Sequence, residues 1–368
     1  MIPKIDSELG ISVYTTNFPG CGGTIKKQNE NFVVSEIISE KAHSQISSEF
    51  GYAVCKLKKN GIDTTHALSE IFKKYGIRLK SLGLKDASAI TEQFVVTKNK
   101  IKHDFLINES RYSLKKIGFT SKQLSKKEMI GNHFKIKISG ISDTLSQFEE
   151  YDKVLNFYGY QRFGSSRPVT HLIGKALIQK DFVQAVHLLL SFTSEYDTTQ
   201  NTTLRKMMAD KSKYSEALKM IPNRMDLEKI VLKEMIEHNN PVRALRALPL
   251  SIRRFFVQSY QSFIFNKTLS MSFENGEEVF FPQANDVCYD KNADLGKFEN
   301  DPLQRLTIPF VGYSYYKKTR FDYHIKKILE DEEITPKDFF SKEMQEISSE
   351  GGFRNSSIKC DDYTVEDD

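Results

Sequence analysis

The residues best suited to chemistry gather in Ser81–Thr97, SLGLKDASAITEQFVVT. An apolar helical stretch ends before this segment, Gly83 permits a turn, and Lys85–Asp86 precede small residues and a strand. A carboxylate on a short connection just ahead of a strand is a common place for a functional side chain. It is also where an aspartate caps the next turn, with its lysine neighbour merely solvated. Thr91 and Gln93 follow closely and suit hydrogen bonds to the loop under either reading. Elsewhere the chemistry-bearing residues are dispersed. Cys21, Cys55, Cys288 and Cys360 lie far apart, and the eight histidines form no HExxH or HxH pair. Neither the zinc spacings nor a disulfide framework is expected, so the sequence reads as metal-free and from a reducing compartment, cytoplasmic by default. No GxGxxG or Walker-type glycine loop occurs, which disfavours nicotinamide and phosphoryl-transfer chemistry.

These residues sit in a chain of 368, long enough for about two domains. With 39% hydrophobic residues the chain can build sizeable cores. No apolar run approaches the ~20 residues of a membrane-spanning helix. The start, Met1–Gly20, carries Asp6 and Glu8 and no apolar block, so no signal peptide is expected.

The net charge of +5 is mild, but its distribution is not. Between Lys98 and Lys137 stand eleven basic side chains against Asp104, Glu109 and Glu128, a segment of +8 beside a remainder of −3. A second basic stretch is Pro241–Arg254, with Arg243, Arg246, Arg253, Arg254 and no acid. Acids collect in Glu330–Glu333 and in the tail Asp361–Asp368. Such separation makes a steering field for a polyanion, although a lysine-rich run is often only a solvated face.

The elements that must position the cluster follow from patterning. Asn31–Ile38 and Gln93–Thr97 read as strands, being β-branched and aromatic. Thr64–Tyr75 reads as a helix capped at Thr64 and stopped by Gly76. His133–Ser139 alternates, with Phe134, Ile136 and Ile138 on one face and Lys135 and Lys137 on the other. Val183–Leu190, Met225–Glu237 and Arg254–Ser270 read as helices. In the last, Phe256, Tyr260, Phe263 and Ile264 form a core-packing stripe. The strand-rich first part gives way to helices near Asn156, and without regular βαβ alternation this favours an α+β class.

Gly83–Gln93 resembles the GxKDxxAxTxQ signature of the TruD family of tRNA pseudouridine synthases. Lys26 followed by Phe32–Glu36 is similar to that family's Lys…FxVxE element, and Gly131–Phe134 to its GNxF motif. Asn156–Gly164 resembles its NYFGxQRFG segment with two aromatics exchanged. Phe256–Asn266 is similar to its later aromatic helix, in the form of archaeal and eukaryotic members. The bacterial members' terminal GSxATxxxRE element is not present, so no role is carried over for Arg354.

The resemblance implies an isomerase that converts uridine to pseudouridine, at uridine 13 in the D-arm of tRNA. Asp86 would be the catalytic nucleophile or base. Lys26 would hold it ionised, Lys85 would reach a phosphate, Asn132 would meet the pyrimidine edge or a 2′-hydroxyl, and Phe134 would stack on the uracil. Glu36 is expected to be structural, pairing with Lys26 or Arg162, while Gln161 and Arg162 brace a domain junction. The partner is tRNA, with no cofactor, metal or membrane. The implied architecture is a pseudouridine-synthase-type catalytic domain with a mixed, mainly antiparallel sheet, formed by 1–156 and 341–368. A family-specific α/β insertion, 157–340, would interrupt it. The rivals are a catalytically silent RNA-binding protein and a tRNA chaperone on the same fold.

Overall fold

The computed structural model describes residues 2–47, 50–101, 104–142, 151–222, 225–316 and 319–360. Lys102 and the acidic tail 361–368 lie outside the described residues. In chain order the elements are α1 (Lys4–Glu8), β1 (Gly22–Thr24), β2 (Phe32–Ile38), α2 (Glu40–Ser44), β3 (Tyr52–Asn60), α3 (Thr64–Tyr75), β4 (Leu79–Ser81) and β5 (Ile90–Thr97). Then come β6 (Leu106–Asn108), β7 (Tyr112–Thr120), β8 (Met129–Ile136), β9 (Ser139–Ile141) and β10 (Lys153–Leu155). A helical run follows: α4 (Thr170–Ile178), α5 (Phe182–Ser191), α6 (Thr199–Met208), α7 (Tyr214–Met220), α8 (Asp226–His238), α9 (Pro241–Arg246) and α10 (Leu250–Glu274). The chain closes with β11 (Val287–Tyr289), β12 (Leu295–Lys297), β13 (Arg305–Phe310), α11 (Asp322–Asp331), β14 (Gly352–Asn355) and β15 (Ser357–Lys359). Helices and mainly antiparallel sheets together make this an α+β protein, as expected.

The chain divides into two compact units, Phe18–Glu149 and Met1–Asn17 with Glu150–Asp368. In the first, the main sheet runs β6-β7-β3-β5-β2-β8, with β4 added on β5 and β1 paired with β9 as a separate ribbon. Only β2 and β5 run parallel; the other pairings are antiparallel. Strands β3 and β7 have no counterpart in the sequence reading. In β3 (YAVCKLKKN) lysines interrupt the apolar run, yet Ala53, Cys55 and Leu57 are fully buried with Ile62, Ala67, Ile71 and Leu114. Helix α3 forms over the expected residues, but its cap is Asp63, which accepts from the His66 N–H at 3.0 Å. Thr64 is instead buried and used elsewhere. Gly76 ends the helix in the left-handed region, φ +70°, returning its N–H to Phe72.

The second unit is built on the 25-residue helix α10. Phe256, Tyr260 and Ile264 of the expected stripe are buried along it and Phe263 packs partly buried against the same core, which Phe265 and Leu269 also join. Helix α4 crosses it at Gly174, where a Cβ would stand 2.1 Å from the Phe256 carbonyl oxygen. Residues of the N-terminus join this unit through polar contacts: Asn266 donates to the Leu9 carbonyl at 3.0 Å and Ser270 to that of Gly10 at 2.8 Å. The sheet order here is β12-β11-β13-β14, with β10 pairing β15. These units follow packing and cut the chain elsewhere than the family-based division of 1–156 with 341–368 against 157–340. The second basic stretch is not a free surface. Arg243 pairs with Glu234, Arg246 and Arg253 with Glu346, and Arg254 donates to the Glu346 carbonyl.

Candidate active site

The first unit assembles the site from the signature loop, strands β2, β5 and β8, and the turn after β1. Asp86 stands on the loop between β4 and β5 with its side chain 41% exposed. Lys26 Nζ lies 2.6 Å from Asp86 Oδ2, bridging sixty positions of sequence. Asp86 Oδ1 has no partner among the described residues, so one carboxylate oxygen is held and the other makes no hydrogen bond to them. The carboxylate caps no turn; its partner is an ammonium. Lys26 itself adopts φ +56°, a conformation unusual for a residue with a side chain and one that costs energy unless the surroundings impose it.

An aromatic series extends from this ion pair. The Lys26 ammonium sits 4.1 Å above the Phe32 ring centroid. Phe32 in turn meets Phe134 edge-on, with centroids 6.1 Å apart. Phe134 is 52% exposed, because β8 is the edge strand of the sheet. Core packing is therefore excluded for it, and Ile136 and Ile138 on the same stretch are exposed too. Asn132 lies opposite Glu36 in the β2–β8 register, and its Oδ1 is buried without a partner. Asn132 stands two residues before the exposed Phe134 on β8, and its amide can both donate and accept.

Lys85 departs from expectation. Its ammonium turns inward onto Glu36, 2.7 Å from Oε1, in a pair whose side chains are 7% and 0% exposed. Glu36 Oε2 accepts the Phe94 backbone N–H at 2.8 Å. The pair thus takes Lys85 away from any phosphate, and gives Glu36 a partner other than Lys26 or Arg162. Lys85 is thus buried while its neighbour Asp86 is 41% exposed. Gly83 makes room for this arrangement: a Cβ there would stand 3.3 Å from Lys85 Nζ and 3.5 Å from Glu36 Oε1. Arg162 lies over the Tyr158 and Phe255 rings. Arg354 donates to Asn156 Oδ1 at 2.6 Å.

The loop is tied through Gln93, as expected, and through Thr64 and Lys59, which were not expected there. Gln93, fully buried, donates to the Gly83 carbonyl at 3.0 Å and accepts from Thr64 Oγ1 at 2.8 Å. Thr64 Oγ1 accepts the Lys85 N–H at 3.0 Å. Thr91 makes no such bond; its hydroxyl is buried without a partner. Lys59 on β3, absent from the sequence reading, places its ammonium 2.6 Å from the Asp86 carbonyl oxygen. The signal available was a lysine at the end of an alternating apolar row, Ala53, Cys55, Leu57.

Lys98, Lys115, Lys122, Lys126, Lys127, Lys135 and Lys137 of the basic segment are exposed and make no ion pair among the described residues. Arg111 pairs with Glu70 and Lys116 with Asp104. A separate grouping of metal-ligand type, Glu234, Glu237 and His238, is on the exposed side of α8, where Glu234 already binds Arg243.

Comparison with known proteins identifies the family. The family described as tRNA pseudouridine synthase D (TruD) matches residues 8–368. A probable tRNA pseudouridine synthase D of Saccharolobus solfataricus is 32% identical over 317 residues, covering 80% of this chain and 82% of its own. Another, of Methanococcoides burtonii, is 27% identical over 406 residues, covering 100% of this chain and 91% of its own. A crystal structure from Methanosarcina mazei, assigned as TruD, superposes with a TM-score of 0.75 at 25% identity, over 97% of this chain and 89% of that one. With the signature loop, the Lys26–Asp86 pair and a match across nearly its whole length, the chain belongs to the TruD family.

Proposed function

We infer that this protein is a tRNA pseudouridine synthase, an isomerase that breaks the uridine N–C bond, turns the base and rejoins it through C5. Membership in the TruD family supports the activity and the tRNA substrate. The observation that carries the site is the half-exposed Asp86 carboxylate, one oxygen on Lys26 and the other open. In this reading Asp86 is the nucleophile or base at the ribose, and Lys26 keeps it charged and aimed. Phe134 offers a face for the extruded uracil and Asn132 an acceptor for its edge. Lys85, spent on Glu36, orients the loop. During the reaction the C5 proton is lost to water and N1, released from the sugar, takes up a proton from water, so the uracil keeps its number of hydrogens.

We also propose uridine 13 of the D-arm as the target, on family grounds. The same grounds support a catalytic domain of 1–156 with 341–368, an insertion of 157–340, and work in the cytoplasm. Among the described residues no helix is long and apolar enough to cross a membrane.

Tritium release from tRNA labelled at uracil C5 tests the site. Asp86→Ala is expected to lose release entirely while still binding tRNA. Retained release in that variant would remove the central assignment. A tRNA carrying cytidine in place of uridine 13 should release nothing; undiminished release from it would move the target elsewhere.

A further inference from the structure

The side chain of Lys59 is an anomaly of burial. It continues the inward row of β3, after Ala53, Cys55 and Leu57, yet ends in an ammonium on a residue only 1% exposed. No carboxylate lies within ion-pair distance of it among the described residues. Its three N–H bonds go to backbone carbonyls instead: Ile62 at 2.8 Å, Asp86 at 2.6 Å and Lys85 at 3.3 Å. A buried charge of this kind is costly unless its hydrogen bonds are all made, and here two of the three acceptors belong to the signature loop.

Register places Lys59 with the site. It is opposite Thr91 on β5; Thr91 is opposite Val34 on β2, and Val34 is opposite Phe134 on β8. Cross-strand partners share a face, so Lys59, Val34 and the exposed Phe134 belong to one side of the sheet. The charged groups that act on Lys59 are Asp63 at the start of α3, Asp86 and Lys85.

We propose that Lys59 is a positioning residue of the isomerisation, fixing the backbone of Lys85–Asp86 so that the Asp86 carboxylate meets the substrate in one geometry. This rests on the assignment of Asp86 as the reacting carboxylate. Removal of the ammonium leaves the loop held at Gly83 and at the Lys85 N–H, through Gln93 and Thr64. The Asp86 carbonyl then loses its tether, and the Lys85 carbonyl keeps only the long contact with the Thr64 hydroxyl at 3.5 Å.

The ammonium also has a pH signature. Burial lowers the Lys59 pKa from 10.5 to about 8, opposed by the charges of Asp63 and Asp86 and assisted by that of Lys85. Above that pH the neutral amine keeps two N–H groups for three carbonyls, so the hold on the loop loosens as pH rises through about 8.

The test uses the full chain, tRNA labelled at uracil C5, and Lys59→Met, which keeps the length of the side chain. In the folded variant kcat is expected to fall about 100-fold, the scale of an ångström-size misplacement, with KM and tRNA affinity nearly unchanged. The wild type should show kcat declining above pH 8, and Lys59→Met should lack that limb. A folded Lys59→Met with kcat within twofold of wild type overturns the proposal, as does a loss confined to tRNA binding. If Lys59→Met does not fold, the wild-type profile decides: a decline above pH 8 supports the proposal, and a flat kcat to pH 9.5 overturns it. Asp86→Ala in parallel separates the two levels. An active Asp86→Ala enzyme overturns the site assignment, whereas inactive Asp86→Ala beside fully active Lys59→Met overturns the positioning role alone.

Discussion

Two lysines with opposite exposure organise the carboxylate: Lys26 reaches the Asp86 side chain from outside, and Lys85, one residue before it, is buried on Glu36. Breaking a buried pair by removing one partner leaves an uncompensated charge, which typically costs about 3–5 kcal/mol. Glu36→Gln should therefore lower stability on that scale in urea denaturation, and Glu36→Gln with Lys85→Met should recover part of the loss. A single variant as stable as wild type would show that the pair contributes little. Asp86 and the aromatic partners were legible as residues, because GxKD and GNxF are short and local. The destination of Lys85 was not, since Glu36 lies forty-nine positions earlier and meets it only across β2.

Among the elements, α3 shows how a one-residue shift in capping changes what a neighbour does. Because Asp63 takes the cap, Thr64 is free to bridge Lys85 and Gln93 under the signature loop. Asp63→Ala should cost about 1 kcal/mol in thermal or chemical denaturation, the usual value of an N-cap. No loss of stability would mean that tertiary packing alone sets the helix start. Helix α4 makes a pH prediction. His171 is buried between Phe163 and Phe263, its Nδ1 unpartnered, and burial lowers its pKa to about 4, with the Glu332 charge opposing. On acidification the unfolded chain takes up this proton near 6.5, whereas the native state resists until about 4. Stability should thus fall between those two values, by about 3 kcal/mol from this group, and change little below. Melting temperatures of wild type and His171→Phe across that window check it: the variant's curve should be flatter.

At the scale of the whole molecule, charge placement matters more than charge total. The first unit carries a set of exposed lysines between Lys98 and Lys137 with no ion pair among the described residues, while the arginines of Pro241–Arg254 are bound to acids or carbonyls. Phosphate contacts release counterions, so tRNA affinity should fall steeply with salt, by a factor that grows with each lysine engaged. Replacing Lys135 and Lys137 together by Gln should reduce the slope of log affinity against log salt by about 2, whereas Arg243→Gln with Arg246→Gln should leave it unchanged. A slope indifferent to the lysines would place the phosphate contacts elsewhere.

Sequence alone determined the α+β class, the family motifs, the extents of β2 and α3 within a residue or two, and the core stripe of α10. Each of these is a local pattern or a motif of a few adjacent residues. Tertiary structure decided the rest. It showed β3 and β7 as central strands, hidden in the sequence by lysines and glycine among their apolar residues. It exposed Phe134, because β8 has a neighbour on only one side. It drew Leu9 and Gly10 to α10 through Asn266 and Ser270. And it turned Lys85 and Lys59 inward, since whether an ammonium meets water, a carboxylate or a carbonyl depends on strands that are neighbours only in the folded sheet.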